Sequence, residues 1–346
     1  MGVANHTVAA ALRLLSLPYA AAVALRNRLY DRGILRREQL PVPVISVGNI
    51  TVGGTGKTPT VIFIANLLKQ RGFHPAVLSR GYGGRSGAAV RIVSDENGIL
   101  CGWREAGDEP VLIARAAPGV PVLAGSRRLL TGREAVRRFG ADVLILDDAF
   151  QHRALCRNLD IVLVDALCPL GNGFILPRGP LRETPKALRR AHLILRTGAE
   201  EEPGGEPLPK ASRLPSFRGI RRPLGLVEAK TGRVRPLAEL KGVKVCAFAG
   251  IGRPGSFRRS LSRLDADIVS FRAFPDHHPY SRADIDALRI LARESGATRI
   301  VTTEKDAARL ADHPDLLREL TLLRIGMEIS PAEPFAELIF SAIAIK

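Results

Sequence analysis

The residues best suited to chemistry lie between Pro43 and Leu68, in the run PVISVGNITVGGTGKTPTVIFIANLL. A short apolar stretch (Val44, Ile45, Val47) predicts a buried strand, and Val61 to Leu68 predicts a helix. Between them sits a turn rich in glycine: Thr51, Gly53, Gly54, Thr55, Gly56, Lys57 and Thr58. Strand, glycine turn and helix in that order form a phosphate loop. Glycines let backbone N–H groups converge on anionic oxygens, and the helix N-terminus adds the positive end of its dipole. Lys57 is then expected on the terminal phosphates and the Thr58 hydroxyl on Mg²⁺. The pattern G-x-x-x-x-G-K-[ST] is not strict here, because Thr51 occupies the position of its first glycine.

A second acidic string, ADVLILDDAFQH, complements the loop. Val143 to Leu146 predict a buried strand that ends in Asp147-Asp148, the arrangement of a Walker B strand. Its carboxylates would stand at the carboxyl edge of the sheet, where open α/β sheets bind ligands, and hold Mg²⁺ directly or through water. Further on, CPLGNGFILPRGPLRE is dense in glycine and proline and carries Arg178 and Arg182, a loop chemistry suited to phosphate.

The chain alternates apolar strands with helices from Pro41 to about Leu195. That alternation predicts a parallel sheet with helices on its faces. Residues 38–198 are expected to form this P-loop kinase-like domain. The polar stretch GAEEEPGGEPLPKASRLP then predicts a linker over 199–222. A second, smaller α/β domain is expected over 223–346, from strand-turn-helix strings such as VKVCAFAGIGRPGSF and TRIVTTEKDAARL.

Residues 1–37 read as a separate N-terminal amphipathic helix. An apolar segment from Val8 to Leu25 is interrupted by Arg13 and Pro18, and Arg26, Arg28, Arg32, Arg36 and Arg37 follow it. The segment is too short and too interrupted for a spanning helix, and the basic residues lie on the wrong side for a cleaved signal. An apolar helix beside an arginine cluster suits an anchor lying on an anionic membrane surface.

Composition narrows the partners. With 346 residues, 46% of them hydrophobic and 25% charged, the chain is that of a folded protein long enough for two domains. A net charge of +17 calls for anionic partners: nucleic acid, a lipid surface or phosphorylated ligands. Few aromatics and no nucleic-acid motif argue against the first. The four cysteines (Cys101, Cys156, Cys168, Cys246) lack zinc spacing and are expected as buried thiols.

Taken together, SVGNITVGGTGKTP, LSRGYGG, GDEP, DDAFQH, GNGFILPRGPLRE, FAGIGRPGSF, FPDHHPYS and TTEKDA resemble the tetraacyldisaccharide 4′-kinases of lipid A biosynthesis, in that family's order, from about residue 44 to 306. Thr51 matches the family's own variant of the loop. Ala149 stands where the family usually has glycine. The resemblance implies ATP- and Mg²⁺-dependent phosphorylation of the 4′-hydroxyl of a tetraacylated glucosamine disaccharide 1-phosphate at the cytoplasmic face of the inner membrane; a monomer is expected. With it come expected roles: Asp108 as general base, assisted by a histidine of the DHH loop, with His277 favoured over His278; Thr58, Glu109, Asp147 and Asp148 around Mg²⁺; Arg80, Tyr82 and Arg182 on the sugar-phosphate. Gln151-His152 would order the Walker B loop, and domain closure would bring His277 to the base. The main competing reading is a membrane-docked P-loop switch or assembly ATPase, which would need no DHH loop. A GTPase would want an N-K-x-D string, which is missing.

Overall fold

The runs Val44–Asn49, Pro75–Ser79, Val143–Asp147 and Leu159–Asp165 become strands buried along their whole length, as they must where a parallel sheet is covered on both faces. The structure, a computed structural model, describes residues 2–85, 87–198 and 214–344. In chain order the elements are α1 (Gly2–Asp31), β1 (Val44–Asn49), α2 (Lys57–Gln70), β2 (Pro75–Ser79), β3 (Arg91–Ser94), α3 (Trp103–Ala106), α4 (Asp108–Ala116) and β4 (Val122–Ala124). Then come α5 (Arg128–Phe139), β5 (Val143–Asp147), β6 (Leu159–Asp165), β7 (Leu193–Thr197), β8 (Ser216–Glu228) and β9 (Val234–Arg235). The chain continues through β10 (Lys244–Ala249), α6 (Pro254–Ser262), β11 (Asp267–Ala273), α7 (Arg282–Glu294) and β12 (Arg299–Thr303). It ends with α8 (Glu304–Arg309), α9 (Pro314–Leu317), β13 (Leu320–Ser330) and α10 (Ala332–Ala344).

The chain forms two units. The first takes Met1–Arg80, Gly125–Arg221 and Met327–Lys346; the second takes Gly81–Ala124 and Arg222–Gly326. This differs from the division expected along the chain. Residues 81–124, assigned from sequence to the 38–198 domain, group with the second unit because α4 packs against α8. The C-terminal helix leaves the 223–346 region for the first unit, where Phe335 meets Phe63 and Phe217 at centroid distances of 6.2 and 5.2 Å. Of the expected linker 199–222, residues 199–213 lie outside the described residues. Residues 216–222 belong to β8, whose start pairs with β7 from Ile194↔Ser216 to Thr197↔Gly219.

In the first unit the strand order β7-β6-β1-β5-β2 is parallel throughout. The register sets Asp147 beside Val47, so the acidic end of β5 and the turn after β1 share one edge of the sheet. Gly48 is required by packing: a Cβ there would stand 2.6 Å from Phe150 Cβ. Helix α1 continues through Pro18 and is not a free arm. Its Tyr19 hydroxyl donates to the Arg182 carbonyl at 3.2 Å, and Arg26 and Asn27 both donate to the buried Glu183 carboxylate. Arg153 fixes its end through Asp31 at 2.6 Å. Away from these contacts Leu14, Leu15, Leu17 and Leu25 are exposed.

In the second unit β11-β10-β12-β13 run parallel, β9 closes an antiparallel pair with β8, and β3 pairs antiparallel with β4. Phe248, Phe274, Tyr280, Ile285, Leu288 and Leu310 fill a core under α7 and α8. The expectation of four buried thiols is corrected: only Cys246 is buried, Cys168 is exposed, and all four are free.

Candidate active site

In the first unit, β1 delivers the chain to the glycine turn and α2 begins at Lys57. Gly53 (φ 114°) and Gly56 (φ 93°) adopt positive φ, which a side chain would strain. Gly56 caps α2 with no side-chain hydrogen bond, so the first-turn N–H groups of α2 have no cap competing for them. The loop is braced from beneath. Asn49 Nδ2 donates to Thr55 Oγ1 at 3.0 Å, and the Thr197 hydroxyl donates to the Thr55 carbonyl at 2.7 Å. From the side, Val52 N–H donates to the Pro180 carbonyl and Arg182 N–H to the Ile50 carbonyl.

The end of β5 carries the charges that face this loop. Asp148 has φ 48°, a left-handed conformation for a non-glycine residue, so its carboxylate is held at some backbone cost. Lys57 Nζ stands 3.6 Å from Asp148 Oδ1, and Arg182 Nη1 reaches both carboxylate oxygens at 2.9 and 3.0 Å. Gln151 completes the loop by donating to the Asn49 carbonyl at 2.8 Å. Arg128 is buried and donates to the Gly125 carbonyl at 2.6 Å; burial pulls its pKa down to about 10, against the attraction of Asp147. His152 is pushed down to about 4, first by burial and then by Arg128, Arg157 and Arg80. This imidazole is neutral at physiological pH.

The second unit holds a different kind of cluster. Asp108, the first residue of α4, is 2% exposed. Gly107 before it (φ 90°) must be glycine, since a Cβ would fall 2.4 Å from the Tyr82 carbonyl oxygen. His277 Nδ1 lies 3.0 and 3.2 Å from the two Asp108 oxygens. With Nδ1–H donating to Asp108, Nε2 faces Lys305 Nζ at 3.4 Å as an acceptor. Lys305 also reaches Glu109 at 3.3 Å and Asp276 at 3.5 Å. Tyr82 sets its ring edge-on to His277, 5.8 Å between centroids.

Burial disfavours the charged form of Asp108, yet the His277 hydrogen bond and the charges of Lys305 and Arg309 outweigh it and hold the carboxyl below its ordinary range. The same hydrogen bond raises the His277 pKa, against burial and Lys305. Burial pulls down on the Lys305 ammonium, and Glu109, Asp108 and Asp276 more than reverse it. The result is an ionised carboxylate that can accept a proton, oriented by an imidazole that can share it.

Each residue singled out from sequence now has a place. Thr51, Gly53, Gly54, Thr55, Gly56, Lys57 and Thr58 form one loop in the first unit, with Asp147, Asp148, Arg80 and Arg182 in the same unit. Asp108, Glu109, Tyr82 and His277 belong to the second. Asp108 and His277 therefore meet within a single unit, and no closure of domains is needed to pair them. His278 points elsewhere: it stacks on Phe274 and its Nε2 lies 3.1 Å from Asp284. Arg182, expected on sugar-phosphate, is engaged by Asp148. Lys305 and Arg309 went unassigned, although TTEKDAARL places a lysine and an arginine one helical turn apart after a strand end.

Thr58, Asp147 and Asp148 offer hard oxygen donors of the kind Mg²⁺ takes, and Mg²⁺ usually completes its shell with phosphate oxygens and water. Among the described residues no group of three or more His, Cys, Asp or Glu side chains forms a metal cage by itself.

Residues 8–344 match the family model LpxK, tetraacyldisaccharide-1-P 4′-kinase. A tetraacyldisaccharide 4′-kinase of Syntrophus aciditrophicus is 51% identical over 343 residues, covering 95% of this chain and 91% of its own. The chain belongs to the tetraacyldisaccharide 4′-kinase family. The family member of Geobacter metallireducens is 43% identical over 330 residues, covering 95% of this chain and 96% of its own. A crystal structure of LpxK from Aquifex aeolicus in complex with ATP superposes with a TM-score of 0.82 at 36% identity, over 97% of this chain and 99% of that one. The family match runs from within α1 to the end of α10.

Proposed function

We propose that this chain transfers the γ-phosphate of ATP to the 4′-hydroxyl of a tetraacylated glucosamine disaccharide 1-phosphate. The observation that carries the reading is the pairing of buried Asp108 with half-buried His277 in a chain that also has a phosphate loop. A nucleotide switch needs the loop alone, whereas a kinase with an alcohol acceptor also needs a group to take the hydroxyl proton. Asp108, steered by His277, takes that proton as the 4′-oxygen bonds to the γ-phosphorus and the bond to the ADP oxygen breaks. Lys57 and the N–H groups of residues 53–58 hold the β- and γ-phosphates. Thr58, Asp147 and Asp148, with Glu109 as a further candidate, would hold Mg²⁺, which would supply neutralisation of phosphate charge when bound. Arg80, Tyr82 and Arg182 are assigned to the sugar-phosphate. Arg182 would exchange Asp148 for an anionic ligand.

The reading includes a place of work. Among the described residues no helix is long and apolar enough to cross a membrane. The exposed leucines of α1 and the arginines after it favour an amphipathic helix resting on an anionic lipid surface, with each basic residue near that surface contributing about 1 kcal/mol. We assign the protein, as a monomer, to the cytoplasmic face of the inner membrane, where an acylated substrate resides. Incubation with labelled ATP, Mg²⁺ and the acylated disaccharide 1-phosphate in detergent micelles should yield a bisphosphorylated lipid. Hydrolysis of ATP without transfer to lipid would instead favour the switch ATPase.

A further inference from the structure

Two strings remain without a role in this chemistry: the glycine turn AGIG at the end of β10 and the α8 sequence EKDAAR. The second unit brings them together around one buried guanidinium. Arg309 is 1% exposed and Asp306 is fully buried. Arg309 Nη2 donates to Asp306 Oδ1 at 2.6 Å and to the Gly250 carbonyl at 2.8 Å. Its Nη1 donates to the His278 carbonyl at 3.2 Å, and its Nε forms an ion pair with Asp108 Oδ2 at 3.4 Å without a hydrogen bond. Asp306 in turn accepts from the Gly250 N–H, the Tyr280 hydroxyl and the Thr303 hydroxyl. The Gly250 carbonyl also accepts from the His277 N–H at 3.3 Å.

We propose that Arg309, fixed by Asp306, is the positioning residue that holds Asp108 and His277 in contact. Its guanidinium sets a positive charge against the carboxylate of the pair through Nε, while its Nη groups hold the backbone that carries the imidazole. That backbone needs holding: His277 has φ 59°, a conformation an imidazole-bearing residue keeps only when its surroundings impose it. A Cβ at Gly250 would be tightly crowded, with Tyr280 Oη, the Pro275 carbonyl and Asp306 Oδ1 at 3.0, 3.1 and 3.2 Å, so a side chain there would press these groups outward by a few tenths of an ångström. The turn therefore lets backbone and carboxylate close on one another. A lysine at 309 would keep the charge beside Asp108 and lose the fork, since an ammonium cannot hold the Asp306, Gly250 and His278 oxygens in the plane of a guanidinium.

The proposal rests on the reading of Asp108 and His277 as the proton-accepting pair, and a double-mutant cycle separates the two. Kinase assays with micellar lipid acceptor compare the parent, Arg309→Lys, His277→Ala and the double variant. Arg309→Lys should lower kcat by about tenfold or more, the scale of a modest misplacement of reacting groups, with KM for ATP within about twofold. In the His277→Ala background the same substitution should cost less than about twofold, because the pair it positions is gone. An equal loss in both backgrounds, or a parental kcat in Arg309→Lys, overturns the positioning role while a large His277→Ala defect keeps the pair as base. A parental kcat in His277→Ala removes the pair and the proposal with it. Should Arg309→Lys fail to fold, Tyr280→Phe, which removes one donor from Asp306, carries the same cycle with the same outcomes.

Discussion

At the scale of single residues, the phosphate loop and the carboxylates depend on charges placed within a few ångströms. Lys57 sits beside Asp148 at 3.6 Å and is 12% exposed, so its ammonium is preorganised for an anion. Lys57→Ala should cut phosphate transfer roughly a hundredfold or more, as removal of one preorganised donor does elsewhere, and leave the circular dichroism spectrum unchanged; retained transfer would unseat the loop assignment. His152 makes a prediction about acid. Its folded pKa of about 4 lies below the ordinary 6.5, through burial and neighbouring arginines. The folded chain thus refuses a proton that the unfolded chain accepts, and the associated stability is complete above pH 6.5 and drains away as pH falls toward 4. His152→Gln removes that loss. Urea unfolding at pH 7 and pH 5 should show the parent losing more stability than the variant, and equal losses would refute the assignment.

At the scale of elements, β1 and α1 show how function is set by what lies next to a motif. The turn after β1 can fold only because Gly48 lets the Phe150 backbone approach. Gly48→Ala should destabilise the protein by about 1–3 kcal/mol in chemical unfolding, the usual cost of overpacking; an unchanged midpoint would mean the strand end can shift freely. Helix α1 divides its work along its length. Arg26, Asn27 and Asp31 tie its end to Glu183 and Arg153 through charged groups, while the exposed leucines lie earlier, where Ser16 and Tyr19 add only neutral hydrogen bonds to backbone groups. Deleting residues 1–25 should therefore keep the fold, leave Glu183 paired, and move the protein from anionic vesicles to the supernatant in a flotation assay. Unchanged vesicle binding would place the lipid contact elsewhere.

At the scale of the molecule, neither unit is a continuous piece of chain. A fragment of residues 38–198 would carry the phosphate loop and both Walker strings, yet lack β8 beside β7 and the Phe335 side chain that packs on Phe63. We expect that fragment to show no cooperative thermal transition, and a sharp transition would show that the first unit folds without its C-terminal part. The sequence by itself determined what is local. Strand, glycine turn and helix are short-range patterns, so Lys57, Thr58 and the Asp147-Asp148 strand end were legible, and the family strings named Asp108 and His277. What it could not carry was grouping. That residues 81–124 join 222–326, that α10 returns to the first unit, and that Arg309 threads between Asp108, Gly250 and His278 were decided only by tertiary structure. The physical reason is that burial and hydrogen bonding reward contact in space and are indifferent to separation along the chain.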